Sequence, residues 1–371
     1  MKEKLIKKLK NFSKIDIFKS IFLFFSVAMI ILIMLNTQIF EFWYNGFSSL
    51  KSCGLKVYYL NVGQATSSLV VFENRQTMLI DTGSRDSEKQ FLDDLNLILW
   101  KNKLSKIDYL VLTHSDEDHV GGAVGLLKKY QVDKIYRPKI LAMSPLEIET
   151  ENTYYLATTN VYAQTITSVY TEPNCDVEFI ENSLFSIGDA DVRFYACDED
   201  YYNDVNSYCP FITIKNDGYT FMFTGDATQT RENELLNYLQ TSGEYLHVDF
   251  LNVSHHGSKY NSTAAFLNKI SPNFAFISAG DQKHPSSETI ERLKDAFVEN
   301  IYVSKQVGTC AVGTKDDGFV VCTTSKQFDL PLVCVLLACV CFAVLNFDEK
   351  SYKKHKNRSN FLKYSLIYKN V

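Results

Sequence analysis

The sequence predicts an α/β domain held between two membrane-spanning helices. Short apolar runs typical of strands alternate with amphipathic helical stretches through the central part of the chain. Clusters rich in histidine and aspartate follow several of these strands, and two long uncharged runs lie near the chain ends. A chain of 371 residues with 46% hydrophobic content is large enough to bury the core that such a domain needs.

Each predicted strand is a mostly apolar run that stops at a polar or glycine-containing loop. These runs are 57–60, 68–72, 77–80, 107–112, 191–196, 211–214, 221–223, 250–253 and 274–278, with short strands near Val303, Val312 and Val320. Apolar spacing of three and four residues predicts helices that include 91–98, 123–130, 235–239 and 287–300, and another in the second half of 138–170. This alternation of strands and helices is what predicts the α/β class.

Two uncharged apolar runs predict the membrane spans. Residues 21–40 are long enough to cross a bilayer as a helix, and residues 330–347 form the second run. The alternatives are a secretory signal peptide for the first run and a buried core helix for the second.

Basic segments flank both runs on the side away from the central domain. Lysines dominate residues 1–20 and 348–371, whereas the whole chain has a net charge of −5, so the central part is acidic. The positive-inside rule therefore predicts two basic cytoplasmic termini, location in the cell membrane, and a central part, residues of about 45–328, that faces outward.

Six of the nine cysteines fall in the outward-facing domain, which suits a disulfide-forming environment. They are Cys53, Cys175, Cys197, Cys209, Cys310 and Cys322. Six cysteines allow up to three disulfides, and the sequence does not choose among the pairings. Cys310 and Cys322 flank a predicted hairpin turn and are expected to be neighbours. Free buried cysteines are the alternative.

The segment 113–122, Thr-His-Ser-Asp-Glu-Asp-His-Val-Gly-Gly, concentrates metal-binding residue types between a predicted strand and a helix. His114, Asp116, Asp118 and His119 form an H-x-D-x-D-H pattern. Imidazole and carboxylate groups at this density suit divalent metal ions. A solvated acidic turn that caps the next helix is the alternative, and it leaves the two histidines unexplained.

Further polar clusters follow other predicted strands. They are Asp81, Asp226, the pair His255-His256, and His284. Five of the seven histidines of the chain therefore stand at predicted strand ends, where loops of one sheet edge converge. A single histidine in any one of these loops would more often be structural.

The order of these motifs resembles the metallo-β-lactamase superfamily. H-x-D-x-D-H-x-G-G is followed by T-G-D at 224–226 and by H-H-G-S at 255–258. Within that superfamily the chain is similar to the hydrolase domain of ComEC-type DNA-uptake proteins, on the further matches 59–64, 79–83, Asn206-Ser207 and 280–286. The resemblance covers roughly residues 55–325, and it implies an αββα sandwich with a metal site at one edge between two sheets.

The resemblance also implies six ligands for two divalent metal ions, Zn²⁺ or Mn²⁺. They are His114 and Asp116 for one ion, Asp118, His119 and His255 for the other, and Asp226 as the bridge between them. The superfamily usually supplies another histidine before the bridging aspartate, but residues 203–207 contain none. The first metal site is therefore expected to be incomplete or oxygen-rich, which leans from zinc toward manganese.

Two divalent ions lower the pKa of a bridging water, so a hydroxide nucleophile exists near neutral pH. Phosphodiester hydrolysis fits best, because the resemblance implies a nuclease-like domain and two metal ions suit an in-line displacement, with Asp118 at the reacting centre. His256 or His284 is expected to protonate the leaving oxygen or to bind a nonbridging one.

The expected function is therefore a membrane-tethered, metal-dependent phosphodiesterase or nuclease. Its expected partners are the membrane and a phosphodiester substrate, either nucleic acid or a cell-envelope polymer. The acidic central domain lacks the basic surface that binds nucleic acid, and two spans are too few for a DNA channel. Two alternatives stay open: a hydrolase of another cell-envelope ester, and a non-catalytic metal-binding sensor or partner-binding ectodomain.

Overall fold

The computed structural model describes residues 21, 24, 25, 47–143, 155–280 and 283–324. The chain divides into one unit over Asn45–Lys326 and another formed by its two terminal segments. Apart from residues 21, 24 and 25, the predicted spans 21–40 and 330–347 and the basic tails lie outside the described residues. Within the described part, no helix is both long and apolar enough to cross a bilayer.

The strands of the described residues are short and mostly buried. In chain order they are β1 Lys56–Tyr59, β2 Ser68–Val71, β3 Thr77–Ile80, β4 Ile107–Val111, β5 Val132–Arg137, β6 Ile140–Ala142, β7 Tyr155–Ala157, β8 Asp176–Phe179, β9 Ser183–Ile187, β10 Ala190–Tyr195, β11 Phe211–Asn216, β12 Tyr219–Phe223, β13 Phe250–Asn252, β14 Phe274–Ile277, β15 Asn300–Val303, β16 Cys310–Lys315 and β17 Gly318–Thr323.

The helices alternate with these strands along much of the chain. They are α1 Glu88–Asn102, α2 Glu117–Val120, α3 Ala123–Lys129, α4 Asn160–Thr171, α5 Gln229–Ser242, α6 Ala264–Ile270, α7 Ser287–Asp295 and α8 Ser304–Val307, with 3₁₀ helices over Phe47–Ser52, Val205–Tyr208 and Ser254–Gly257.

The strands form two large mixed sheets and one small one. The first sheet has the order β17-β16-β1-β2-β3-β4-β5-β8, and the second has the order β15-β14-β13-β12-β11-β10-β9. Strands β3, β4, β5 and β8 run parallel, as do β12 to β15, while the other neighbours in the two sheets are antiparallel. The small sheet pairs β6 with β7.

The two large sheets pack face to face. One apolar core contains alternate residues of both, among them Val70 and Met78 from the first sheet and Phe223 and Phe250 from the second. Burying each such side chain contributes roughly 1.5–3 kcal/mol to the free energy of unfolding. Helices α5, α6 and α7 cover the outer face of the second sheet in a separate core. On the first sheet, Asn102 of α1 donates to the Tyr58 hydroxyl, which places α1 on its outer face. These layers agree with the predicted αββα arrangement.

Most predicted elements are found, and the exceptions have physical causes. The helix expected over 287–300 ends at Asp295, because Phe297 adopts a left-handed conformation with φ 61° and the chain re-enters a strand at Asn300. Strands β5 to β9 were not predicted. Of these, β8 and β9 alternate between exposed and half-buried residues and so carry little apolar signal. The helix expected in the second half of 138–170 is α4.

All six cysteines of the domain are free thiols in the described residues. Cys310 and Cys322 lie on the paired strands β16 and β17, as expected for neighbours. Cys310 faces Thr323 and Cys322 faces Ala311, so the two side chains lie on opposite faces of the sheet. This alternation explains why the two residues do not form a disulfide with each other.

Candidate metal centre

The predicted site residues gather at the carboxyl ends of parallel strands from both sheets. In the first sheet, Asp81 follows β3 and the histidine-rich segment follows β4. In the second sheet, Asp226 follows β12 and Ser254–Gly257 follows β13. Loops after the carboxyl ends of parallel strands commonly form binding sites, and here two such edges supply one site.

Main-chain hydrogen bonds hold the short helix α2, which carries Asp118 and His119. The amide of Thr66 donates to the Asp118 carbonyl at 3.0 Å, and the amide of Thr82 donates to the His119 carbonyl at 2.7 Å. A Cβ atom added at Gly121 would lie 2.4 Å from the main-chain nitrogen of Arg85, which belongs to the turn facing this helix. Only glycine allows this approach, so the glycine pair after the motif serves close packing.

Asp81 is fully buried and orients the residues after β4. Its Oδ1 accepts from the Thr113 amide at 2.8 Å, and its Oδ2 accepts from the Thr113 hydroxyl at 2.8 Å. The same Oδ2 lies 2.6 Å from Nδ1 of His119. Because an ionised carboxylate only accepts, His119 carries a proton on Nδ1 and points Nε2 away from Asp81.

Thr113 extends this control to His114. Its hydroxyl gives its one proton to Asp81 and therefore accepts from Nδ1 of His114, at 3.0 Å. Nε2 of His114 is then an unprotonated nitrogen, and this buried atom has no hydrogen-bond partner in the part of the chain that the structure describes. One buried carboxylate thus sets the tautomers of two histidines.

His256 is oriented from the second sheet in the same way. Its Nδ1 lies 2.7 Å from the main-chain oxygen of Ser278, which only accepts, so Nε2 faces the centre. Both His255 and His256 have left-handed backbones, with φ of 51° and 54°. Such conformations are costly for non-glycine residues and are typical of functional sites. They turn His256 inward and leave the His255 side chain 35% exposed.

Four side chains form a tight group: Asp118, His119, Asp226 and His256 have ligand atoms all within 4.8 Å of one another. Nε2 of His256 is 3.0 Å from Oδ2 of Asp118. Nε2 of His119 is 3.1 Å from Oδ1 of Asp226, yet among the described residues neither atom has a hydrogen-bond partner of proper geometry. Two imidazoles and two carboxylates, with orphaned buried atoms between them, fit a divalent metal ion.

A second, looser group, formed by His114 and Asp116, lies beside the first. Nε2 of His114 is 3.9 Å from Oδ2 of Asp116, and the rings of His114 and His119 are 4.0 Å apart. Nε2 of His255 is 3.6 Å from Oδ2 of Asp226, which belongs to the tight group.

The structure therefore brings all six predicted ligands to one edge, but it distributes two histidines differently from the sequence analysis. His256, expected to donate a proton, belongs to the tight group. His255, expected to be a ligand there, stands outside it. The ring of His284 is 6.2 Å from the ring of His256, at the rim of the centre rather than within it.

Burial and mutual charge shift the protonation of the centre. Burial and the neighbouring His119 lower the pKa of His114 to about 3. Burial favours the protonated form of Asp118, but the hydrogen bond from His256 and the charges of His119 and His256 together outweigh it and lower the pKa to about 2. Burial and the charge of Asp118 raise the pKa of Asp116 to about 6.

The pKa values of the two histidines of the tight group are raised, whereas that of His114 is lowered. Burial would lower the pKa of His119, but the carboxylates of Asp226 and Asp81 raise it well above its usual range. Burial is likewise outweighed at His256, whose pKa is raised by Asp226 and Asp118. Without a metal ion, these imidazoles hold protons between the carboxylates, and a divalent cation would take the place of that positive charge.

The stretch that lacks the usual histidine forms the 3₁₀ helix Val205–Tyr208. The Ser207 hydroxyl lies 2.9 Å from that of Thr228, two residues after Asp226, so this helix adjoins the centre. Oδ1 of Asn206 is buried and has no hydrogen-bond partner within the described residues. The stretch offers oxygen atoms and no imidazole.

Sequence reasoning noticed Asp81 at a strand end but gave it no role, and it overlooked Thr113 and the Ser278 carbonyl. The signal for Asp81 and Thr113 was present, since both directly follow the ends of two adjacent parallel strands. No sequence signal marks a main-chain carbonyl such as that of Ser278.

Residues 60–281 match the sequence profile of the Metallo-beta-lactamase superfamily. ComE operon protein 3 of Bacillus subtilis is 25% identical over 256 residues, which is 64% of this chain and 30% of that protein. Recombination protein 2 of Haemophilus influenzae is 28% identical over 269 residues, 70% of this chain and 29% of that protein. The match thus spans less than a third of the length of either relative.

Among solved structures, the metallo-beta-lactamase fold protein YhfI from Bacillus subtilis aligns over 69% of this chain and 99% of its own. The TM-score is 0.45 and the sequence identity is 12%.

Proposed function

Because the chain belongs to the metallo-beta-lactamase superfamily, whose members are metal-dependent hydrolases, we propose that it hydrolyses phosphodiester bonds with two divalent ions at this centre. The resemblance inferred from the motifs is confirmed at the level of the family, and the curated relatives are competence proteins of ComEC type. The phosphodiester substrate and the pair of ions are the proposal.

The common orientation of three buried imidazoles carries the proposal. His114, His119 and His256 each have Nδ1 next to an acceptor outside the centre and Nε2 directed toward aspartate side chains. Without metal, His119 and His256 hold protons against the carboxylates, whereas the buried Nε2 of His114 is unprotonated. Loss of those protons would leave three Nε2 lone pairs beside aspartate oxygens, and histidines fixed through Nδ1 in this way are typical of metal sites.

We assign one ion to the tight group of Asp118, His119, Asp226 and His256, and a second to the looser group of His114 and Asp116 with Asp226 shared. When bound, two such ions would lower the pKa of a water and offset charge that develops on phosphoryl oxygen. The oxygen-rich character of the looser group favours Mn²⁺ there over Zn²⁺.

His284 is then the residue that would protonate the leaving oxygen. His256 is committed to the tight group, whereas His284 lies beside it, with ring centroids 6.2 Å apart. Lys305 Nζ donates to the His284 carbonyl at 2.5 Å and fixes the main chain of this loop. An imidazole at the rim can exchange protons with solvent, as a general acid must.

The relatives include Recombination protein 2 of Haemophilus influenzae and Competence protein ComA of Neisseria gonorrhoeae, and this favours DNA as the phosphodiester substrate. The acidic balance of the central residues favours a second candidate, a small or cell-envelope ester, because a polyanion is repelled by such a domain. We further propose that the uncharged runs 21–40 and 330–347 tether the domain to the membrane on its outer side.

The test uses the full-length chain, stripped of metal and reloaded with Zn²⁺ or Mn²⁺. Single-stranded DNA, duplex DNA, RNA, a chromogenic diester and an acyl ester form the substrate panel. We expect metal-dependent turnover of a diester that is lost in Asp118→Ala. The control is His247→Asn, because His247 contacts Asp249 away from the centre. A fully loaded chain that turns over no diester would refute the phosphodiesterase, and acyl-ester turnover would support the second candidate.

A further inference from the structure

Two free cysteines meet where the domain begins and ends. The 3₁₀ helix Phe47–Ser52 lies on the outer face of the first sheet, where the ring of Phe47 packs edge-on against the ring of Tyr58 with centroids 5.6 Å apart. Cys53 follows this helix directly, and Cys322 lies on β17, the last strand of the described residues.

Strand pairing puts both thiols on that same outer face. Cys322 faces Ala311 across the β16–β17 ladder, and Gly313 lies two residues along β16 on the same side. A Cβ atom added at Gly313 would be 2.5 Å from Sγ of Cys53, so this thiol rests directly on the strand next to Ala311. Gly313 is therefore the residue that makes room for Cys53.

Both sulfur atoms also contact one residue of the 3₁₀ helix. Sγ of Cys322 is 3.1 Å from the Ser49 hydroxyl oxygen, and Sγ of Cys53 donates to the Ser49 carbonyl at 3.8 Å. Cys310 is excluded from this arrangement, because it lies on the opposite face in the core between the sheets.

We propose that Cys53 and Cys322 form a disulfide that joins the first and last elements of the domain. In exchange with a small disulfide such as glutathione disulfide, the half-buried Cys322 thiolate attacks one sulfur and releases one glutathione thiolate. The Cys53 thiolate then attacks Sγ of Cys322 and releases the second. Two protein thiols and one glutathione disulfide thus give one protein disulfide and two glutathione molecules.

The bond would close almost the whole domain into one covalent loop. Closing a long loop restricts the unfolded chain most, and a disulfide of this kind is expected to raise the Tm by about 5–10 °C. The inference does not depend on the proposed hydrolase activity.

The test compares the full-length chain equilibrated in glutathione disulfide with the same chain reduced. Free thiols are alkylated, and peptides are mapped by mass spectrometry without reduction. We expect a peptide pair linked through Cys53 and Cys322, and a higher Tm in the oxidised sample. Cys53→Ser and Cys322→Ser should each remove both the linked peptides and the Tm difference between oxidised and reduced samples.

Cys175→Ser is the matched control, because Cys175 is a partly exposed free thiol next to β8, at the other edge of the first sheet. This variant should retain the linked pair and the Tm difference. Complete alkylation of Cys53 and Cys322 after equilibration, or a bond from either residue to a different cysteine, would overturn the proposal.

Discussion

Replacing Asp81 with asparagine should weaken metal binding without touching any ligand. The carboxylate accepts three hydrogen bonds, from the Thr113 amide, the Thr113 hydroxyl and Nδ1 of His119. An amide has only one accepting oxygen. If its NH₂ group faces His119, that ring must place its proton on Nε2, toward the metal centre. If the NH₂ group faces the Thr113 amide instead, two donors meet at 2.8 Å.

The magnitude follows from the role of such outer partners. Changing a carboxylate that orients a metal-binding histidine costs roughly 10- to 100-fold in metal affinity, or about 1.4–2.7 kcal/mol. Asp81 orients His119 directly and His114 through Thr113, so we expect the upper end of this range. The assay is competition for Zn²⁺ or Mn²⁺ against a chromophoric chelator, with the full-length chain.

Asp108→Asn is the matched control. Asp108 Oδ2 accepts from both the amide and the hydroxyl of one threonine, Thr77, at 2.9 and 3.1 Å, at the opposite end of β4. One amide oxygen can keep both of these bonds, so Asp108→Asn should lose less stability than Asp81→Asn, for which we expect a loss of about 1–3 kcal/mol. Only Asp81→Asn should lose metal affinity. An unchanged Kd for metal in Asp81→Asn would refute the argument that Asp81 sets the histidine tautomers.

Three further outcomes are expected. His256→Ala should reduce bound metal at least tenfold more than His255→Ala, as measured by elemental analysis. A larger loss in His255→Ala would instead support His255 as the ligand, as the sequence analysis expected. The pKa of His119 and of His256 is raised in the folded chain, so their stabilising contribution is complete below about pH 6.5 and disappears as the pH rises through the folded values. The Tm of the metal-free chain should therefore fall above pH 6.5, and saturating metal should remove the fall; a flat profile without metal would contradict this. Gly121→Ala should lose about 1–3 kcal/mol in denaturant unfolding, because its Cβ would meet main chain at 2.4 Å, whereas Gly125→Ala would meet only the flexible end of a glutamate and should be nearly neutral.

The sequence was most informative where strand periodicity and side-chain chemistry coincide. The apolar runs before Asp81, His114 and Asp226 predicted buried strands, which are β3 and β4, parallel neighbours in the first sheet, and β12 in the second. The polar clusters at strand ends could be predicted for this reason, whereas the two-sheet sandwich with one metal site was what the resemblance to the metallo-β-lactamase superfamily implied. The distinction between His255 and His256 could not. Strand alternation gives side-chain direction only in extended chain, and both residues have positive φ.

Contacts made by main-chain atoms could not be predicted from the sequence either. The Ser278 carbonyl that orients His256 depends on how β14 lies beside β13, and any residue type could supply it. The neighbouring positions of Cys53 and Cys322 likewise depend on where the 3₁₀ helix packs, which no local pattern encodes. The predicted membrane spans remain predictions, because they fall outside the described residues.

The centre draws its side chains from both sheets, and this has a consequence for how long the protein lasts in the cell. Asp118 and His119 follow a strand of the first sheet, whereas Asp226 and His256 follow strands of the second. A bound ion would therefore fasten the two halves of the sandwich, and its release would favour their separation. Proteases degrade the opened form in proportion to its population. We therefore expect cellular turnover of this protein to follow the supply of metal, with metal-starved cells clearing it fastest.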